Sequence, residues 1–108
     1  MGILIIAAYR PKKGREEDFD KTLNKHIPTL RAHDLLTERP EVRMRTEDGV
    51  ILELFEWRSD EAIREAHINH KVQRLWQSLD QVCDYVPLAD LPEAADRFEH
   101  FTPLATST

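Results

Sequence analysis

His67 and His70 stand three residues apart, on one turn of any helix that contains them. That is the spacing of a two-ligand metal clip. No HExxH motif, cysteine cluster or nearby third ligand accompanies them, so the sequence argues for no metal centre. His26 and His33 lie seven apart within a helical pattern, and an imidazole near a helix end, as at His33, suits the dipole. Cys83, the single cysteine, has no basic neighbour to activate it and reads as a small buried apolar residue. The more informative set is Arg43, Arg45 and Glu53, which alternates with Phe55 and Trp57. Charges on an otherwise apolar strand face must be paired or wet. Two readings stay open. One is an ion pair across a hairpin or at a dimer rim. The other is a mostly apolar small-molecule pocket with a few polar anchors. In the second, Tyr9, Phe55 and Trp57 offer flat surfaces to a planar ring, Arg43 or Arg45 a countercharge, and His67 a base.

These side chains need elements to position them. Residues 3–9 are apolar at odd and even positions alike, which predicts a strand covered on both faces and ended by Pro11. Residues 15–36 read as helical: Phe19, Leu23, Ile27 and Leu30 form one stripe, and Glu16, Glu17 and Asp18 sit where the dipole favours anions. Pro28 must kink or divide this helix. Residues 41–46 and Ile51–Trp57 flank Glu47-Asp48-Gly49, a hairpin signal with two registers. A two-residue loop sets Glu53 opposite Met44. A three-residue loop with Gly49 left-handed pairs Arg43 with Glu53. The second register gathers Val42, Met44, Leu52 and Leu54 on one face, and this consistency selects it. Arg43, Arg45, Ile51, Glu53, Phe55 and Trp57 then share the other face.

Ser59 can cap the next helix. Its stripe changes phase between Ala62, Ile63, Ala66 and Val72, Leu75, Trp76, Leu79, Val82, which predicts a break at Asn69-His70. Leu75 and Trp76 read as core packing. Residues 84–91 are expected to form a last strand at a sheet edge, because Pro87 interrupts its donors. Asp90 and Pro92 should open a final helix carrying Ala94, Ala95, Phe98 and Phe101. Residues 103–108 are expected to be a flexible tail after a single domain over 1–102.

The expected fold is α+β: a ferredoxin-like βαββαβ unit with an antiparallel sheet, helices on one face and an extra C-terminal helix. Its other face would be bare, carrying Ile3, Ile5 and Ala7 or Leu4, Ile6 and Ala8, together with Ile51, Phe55 and Trp57. Such a surface calls for a second copy, sheet on sheet, in a homodimer.

With 108 residues the chain suits one domain and can bury a core without disulfides or metal. It is 41% hydrophobic and 32% charged, with 3 Gly and 6 Pro, which excludes collagen-like and wholly disordered classes. Its longest apolar run, residues 3–9, falls far short of the roughly 20 residues of a membrane helix. A net charge of −5 argues against nucleic acid as a partner. One cysteine fits a reducing cytoplasm. No glycine-rich phosphate loop is present, so no nucleotide-type cofactor is expected. The basic residues Arg10, Lys12, Lys13 and Arg15 read as a solvated turn.

Several pieces, taken in order, resemble the dimeric α/β-barrel superfamily of the antibiotic-biosynthesis-monooxygenase type. They are the first strand with Pro11-Lys12-Lys13-Gly14 and an acidic helix start, Asp48-Gly49 before a strand ending Phe55-Glu56-Trp57-Arg58-Ser59, then Ala66-His67 and Leu75-Trp76. His67 is similar to the histidine of the family's second-helix motif, and Trp57 to the tryptophan closing its third strand. The resemblance implies a dimeric barrel and a cofactor-independent monooxygenase acting on a small aromatic or phenolic compound. His67 would then remove a phenol proton, Arg43 or Arg45 would steady the phenolate, and Tyr9, Phe55 and Trp57 would hold the ring beside Glu53. Haem-degrading members share an asparagine on the first strand, and this chain has none there. A non-catalytic dimer that binds a small apolar metabolite, or a structural member with a filled cavity, is the alternative. The helices are expected on the sheet face opposite Trp57, so His67 would reach the pocket only from a helix end or the sheet edge.

Overall fold

Five antiparallel strands make one open sheet in the order β4-β1-β3-β2-β5. The computed structural model describes residues 2–97 and 99–106. The strands are β1 (Ile3–Pro11), β2 (Val42–Arg45), β3 (Ile51–Trp57), β4 (Cys83–Tyr85) and β5 (Thr102–Leu104). Four helices, α1 (Glu16–Leu23), α2 (His26–Ala32), α3 (Asp60–Ile68) and α4 (His70–Val82), complete an α+β architecture compatible with a ferredoxin-like fold.

The hairpin adopts the bulged register, with Arg43 opposite Glu53 and Met44 opposite Leu52. Thr46 and Gly49 close the turn through a backbone bond of 3.2 Å, and Gly49 sits at φ 91°. The Thr46 hydroxyl accepts from the Val50 amide at 3.0 Å and donates to Asp48 at 2.6 Å, which locks the loop. The expected break at Asn69 is present. Asn69 has extended backbone, and its Oδ1 accepts from the amides of Lys71 and Val72 as the cap of α4. Ser59 caps α3 by accepting from the Ala62 amide at 3.1 Å.

The first helical segment divides at Asn24-Lys25, not at Pro28. Pro28 lies in the first turn of α2, where the missing N–H has no helical partner to lose. The helix ends at Ala32, earlier than the expected residue 36; Asp34 turns at φ 60° and sends Leu35 and Leu36 into the core beside Trp57.

The helices cover the Phe55 and Trp57 face, contrary to the expectation that this face is bare. Ile27, Leu30, Ala66 and Val72 pack on Phe55 and Trp57, while Phe19, Leu23 and Leu79 pack on Tyr9 and Ile51. Each fully buried Leu or Ile here contributes roughly 1.5–3 kcal/mol through removal from water. The opposite face carries Leu4, Ile6, Ala8, Leu52 and Leu54. Its Ala8 and Leu52 end is covered by Leu91, Val86 and Phe101, while Leu4, Ile6 and Val42 stay 54%, 45% and 47% exposed.

The C-terminal third differs most from the sequence reading. β4 is only three residues long and starts at Cys83, so it pairs with β1 only over Tyr9 to Pro11. Leu88–Asp90, expected within the last strand, form a 3₁₀ turn, and in place of the expected final helix stands a second one, Pro92–Ala95; Phe98 lies outside the described residues. The expected tail from residue 103 instead enters the sheet as β5, with Met44 opposite Pro103. Proline is acceptable there because β5 is an edge strand.

Candidate ligand-binding site

A cavity of about 520 Å³ opens between the β1–β3 face and helices α3 and α4. Its position follows from the shortness of β4. Among the described residues β4 pairs with β1 only over Tyr9 to Pro11, and the Val86 amide adds one bond to the Ala8 carbonyl at 2.9 Å, so Ile3, Ile5 and Ala7 floor a space that the helices roof. Phe55 and Trp57 stand on β3 opposite Ile5 and Ile3, with ring centroids 5.5 Å apart. Trp76 and Asp80 project from successive turns of α4, and His67 comes from the last turn of α3. The wall is therefore largely aromatic and aliphatic with few polar groups, the usual composition of a small-molecule site.

His67 is held by its own helix. Its Nδ1–H donates to the Ile63 carbonyl at 2.8 Å, which leaves the lone pair on Nε2. Its ring lies 5.2 Å from that of Trp76. Because the helices cover the Trp57 face, His67 and Trp57 line one cavity directly, and no approach around a sheet edge is needed.

Beneath the aromatic wall runs a buried polar row. The Trp76 indole N–H donates to His26 Nε2 at 3.0 Å, and His26 Nδ1–H donates to Glu53 Oε1 at 2.9 Å. The Tyr9 hydroxyl donates to the same oxygen at 2.8 Å. Glu53 is wholly buried. Burial, and after it the adjacent Glu53 carboxylate, push the Tyr9 phenol far above its ordinary range. Tyr9 thus presents a neutral ring to the cavity while its hydroxyl is spent on Glu53. Phe55 meets His26 edge-on at 5.6 Å, which fixes the imidazole from the side.

The arginines lie elsewhere. Arg43 is buried behind Glu53: it donates to Asn24 at 2.7 Å and to Glu41 at 3.3 Å, and it stands 3.9 Å from Glu53 Oε2. Burial outweighs the Arg43 charge at Glu41 and raises its carboxyl above the usual range. Arg45 is exposed, opposite Ile51 and Thr102. Neither arginine lines the cavity, so neither is placed to steady a phenolate. Of the residues singled out from sequence, His67, Tyr9, Phe55 and Trp57 come together, while Arg43, Arg45 and Glu53 do not touch the cavity.

Three residues of the site escape the sequence reading. His26 falls on the Phe19, Leu23, Leu30 stripe at spacings of three and four, a pattern that marks it as inward-facing. Trp76 serves the cavity as well as the core, and Asp80 follows it by one turn on the same face. Among the described residues no group of three His, Cys, Asp or Glu side chains could hold a metal ion. Burial first, then Asp80 and Asp84, push the Cys83 thiol up to about 11. Among the described residues, no helix is long and apolar enough to cross a membrane. Comparisons with protein-family models, curated proteins and solved structures return no match.

Proposed function

We propose that the chain is a cofactor-independent monooxygenase-like protein acting on a small aromatic or phenolic compound, a homodimer of the dimeric α/β-barrel, antibiotic-biosynthesis-monooxygenase type working in the cytoplasm. The observation that carries this reading is the cavity of about 520 Å³, walled by Phe55, Trp57 and Trp76, with the His67 Nε2 lone pair available at its side. A planar ring stacks on the aromatic wall, and Nε2 accepts the phenol proton. The electron-rich ring carbon para to the phenolate oxygen then bonds to dioxygen, which takes the electron pair. Loss of the ring C–H proton and cleavage of the O–O bond leave one oxygen as the quinone carbonyl and release the other as water. Dioxygen is the oxidant, so the balance requires no flavin or metal. Homodimerisation, in this reading, covers Leu4, Ile6 and Val42 on the open sheet face.

A non-catalytic binding protein is the second reading, favoured by the absence of any lysine or arginine from the cavity lining among the described residues. An oxygen electrode separates the two. With 1,5-dihydroxynaphthalene the enzyme reading expects one dioxygen consumed per quinone formed, and His67→Ala slower by roughly 10²–10⁴, the range of a general base. Saturable binding without oxygen uptake supports the binding protein. A full rate in His67→Ala overturns the base assignment.

A further inference from the structure

The charge in the cavity is of one sign. Its lining includes one ionic side chain, Asp80, and no cation among the described residues. His67 offers a lone pair on Nε2, because its Nδ1–H is committed to the Ile63 carbonyl. Between them, Tyr9 and His26 have spent their donors on Glu53, and the Trp76 N–H is spent on His26. Tyr85, also in the lining, has Asp80 as a neighbour, and burial first and then Asp80 push its phenol above the ordinary range. An occupant therefore finds a carboxylate, an imidazole lone pair and mostly apolar surface, with no cation among the described lining residues to pair with an anion. Asp80 lies one helical turn from Trp76, about 6 Å along the axis, which puts its charge beside the aromatic wall.

Resting on the reading of this cavity as an aromatic-binding site, we infer that it selects uncharged, hydroxyl-bearing aromatics and rejects aromatic carboxylates. A carboxylate at the Asp80 end meets a like charge. Turned around, it meets the Nε2 lone pair. Either pose desolvates an anion without a partner, which the apolar walls make costly.

A matched pair of fluorescent probes tests this at pH 8: 2,6-dihydroxynaphthalene, and 6-hydroxy-2-naphthoate, which exchanges one hydroxyl for a carboxylate on the same ring. The diol is expected to bind at least tenfold tighter. Asp80→Asn keeps the shape and removes the charge, and should shrink that ratio at least threefold. Asp80 is exposed, so the variant is expected to fold. Equal or tighter binding of the naphthoate overturns the inference, as does an unchanged ratio in Asp80→Asn. If neither probe binds, the aromatic-site reading itself fails and the inference with it. Selective binding without oxygen uptake leaves the inference standing and removes only the monooxygenase chemistry.

Discussion

The indole N–H of Trp76 donates to Nε2 of His26 at 3.0 Å, and this one bond sets the chemistry of the buried row. It places the His26 proton on Nδ1, where it meets Glu53 Oε1. A cavity-lining histidine is thereby turned into a support for the floor, and His67 is left as the imidazole with a lone pair to offer a ligand.

Glu53 holds this floor together by accepting from Tyr9 and His26 while it faces Arg43. Glu53→Leu would strip two buried donors of their acceptor and leave Arg43 with Glu41 as its only carboxylate. The expected loss is about 3–5 kcal/mol, read from urea unfolding. His26→Phe in the Glu53→Leu background should cost at least about 1 kcal/mol less than in the native chain, because the interaction is already gone. Additive losses would mean that the pair is not energetically coupled.

Gly49 is the second point of leverage. Its φ of 91° is disfavoured for any residue with a Cβ, and nothing lies within 4 Å of where that Cβ would stand. The cost of Gly49→Ala is therefore backbone strain alone, about 1–2 kcal/mol, with no steric contribution. A stabilised variant in thermal melts would contradict the bulged turn and with it the Arg43 to Glu53 register.

That register was legible because the hairpin strands alternate: only one pairing puts Val42, Met44, Leu52 and Leu54 together. The Asn69 break was legible because an inward stripe changes phase at a residue able to cap. The covered face was not. Residues 3–8 are apolar on both sides, so a period of two carries no inside or outside there. Placing Phe55 and Trp57 on the bare face followed from that ambiguity, and the geometric difficulty expected for His67 followed from the placement. β5 was hidden because three residues containing a proline carry no strand pattern. His26 is less legible because an imidazole on a buried helix stripe, three residues after Leu23 and four before Leu30, has the same pattern whether it packs or binds.

Acid should weaken the protein partly through Glu56. The Thr37 hydroxyl donates to its Oε1 at 2.7 Å and Arg39 Nε at 3.2 Å; the first above all holds this carboxyl below the usual range. The folded value lies below the unfolded one, so the contribution is full above the unfolded carboxylate value of ~4.3. It is lost as pH falls through the folded value. Thr37→Val removes the principal cause. Its stability should fall less than that of the native chain between pH 5 and pH 3, measured as the shift in urea midpoint. A steeper fall in the variant would reverse the sign and refute the assignment.

The open sheet face supplies the last prediction. Leu4 and Ile6 on β1 and Val42 on β2 stand about half exposed, bridged by Leu54 of the intervening β3, while the other end of the same face is already covered by Leu91, Val86 and Phe101. Isolated exposed apolar residues are ordinary, but a contiguous patch on a sheet marks a partner surface. A two-fold pairing places each patch on its own copy, since the surface that covers is also the surface that needs cover. A stable pair must bury roughly 1,000 Å² or more in total, so the contact has to extend from these side chains to their rim. Light scattering at micromolar concentration should report about twice the 12.6 kDa chain mass. Ile6→Lys sets a charge at the centre of the patch and faces no helix. It should halve that mass while leaving the far-ultraviolet circular dichroism and the affinity of the cavity for 2,6-dihydroxynaphthalene within about twofold. A native chain that runs as a monomer would remove the barrel proposal. A dimer indifferent to Ile6→Lys would keep the assembly but move it off this face.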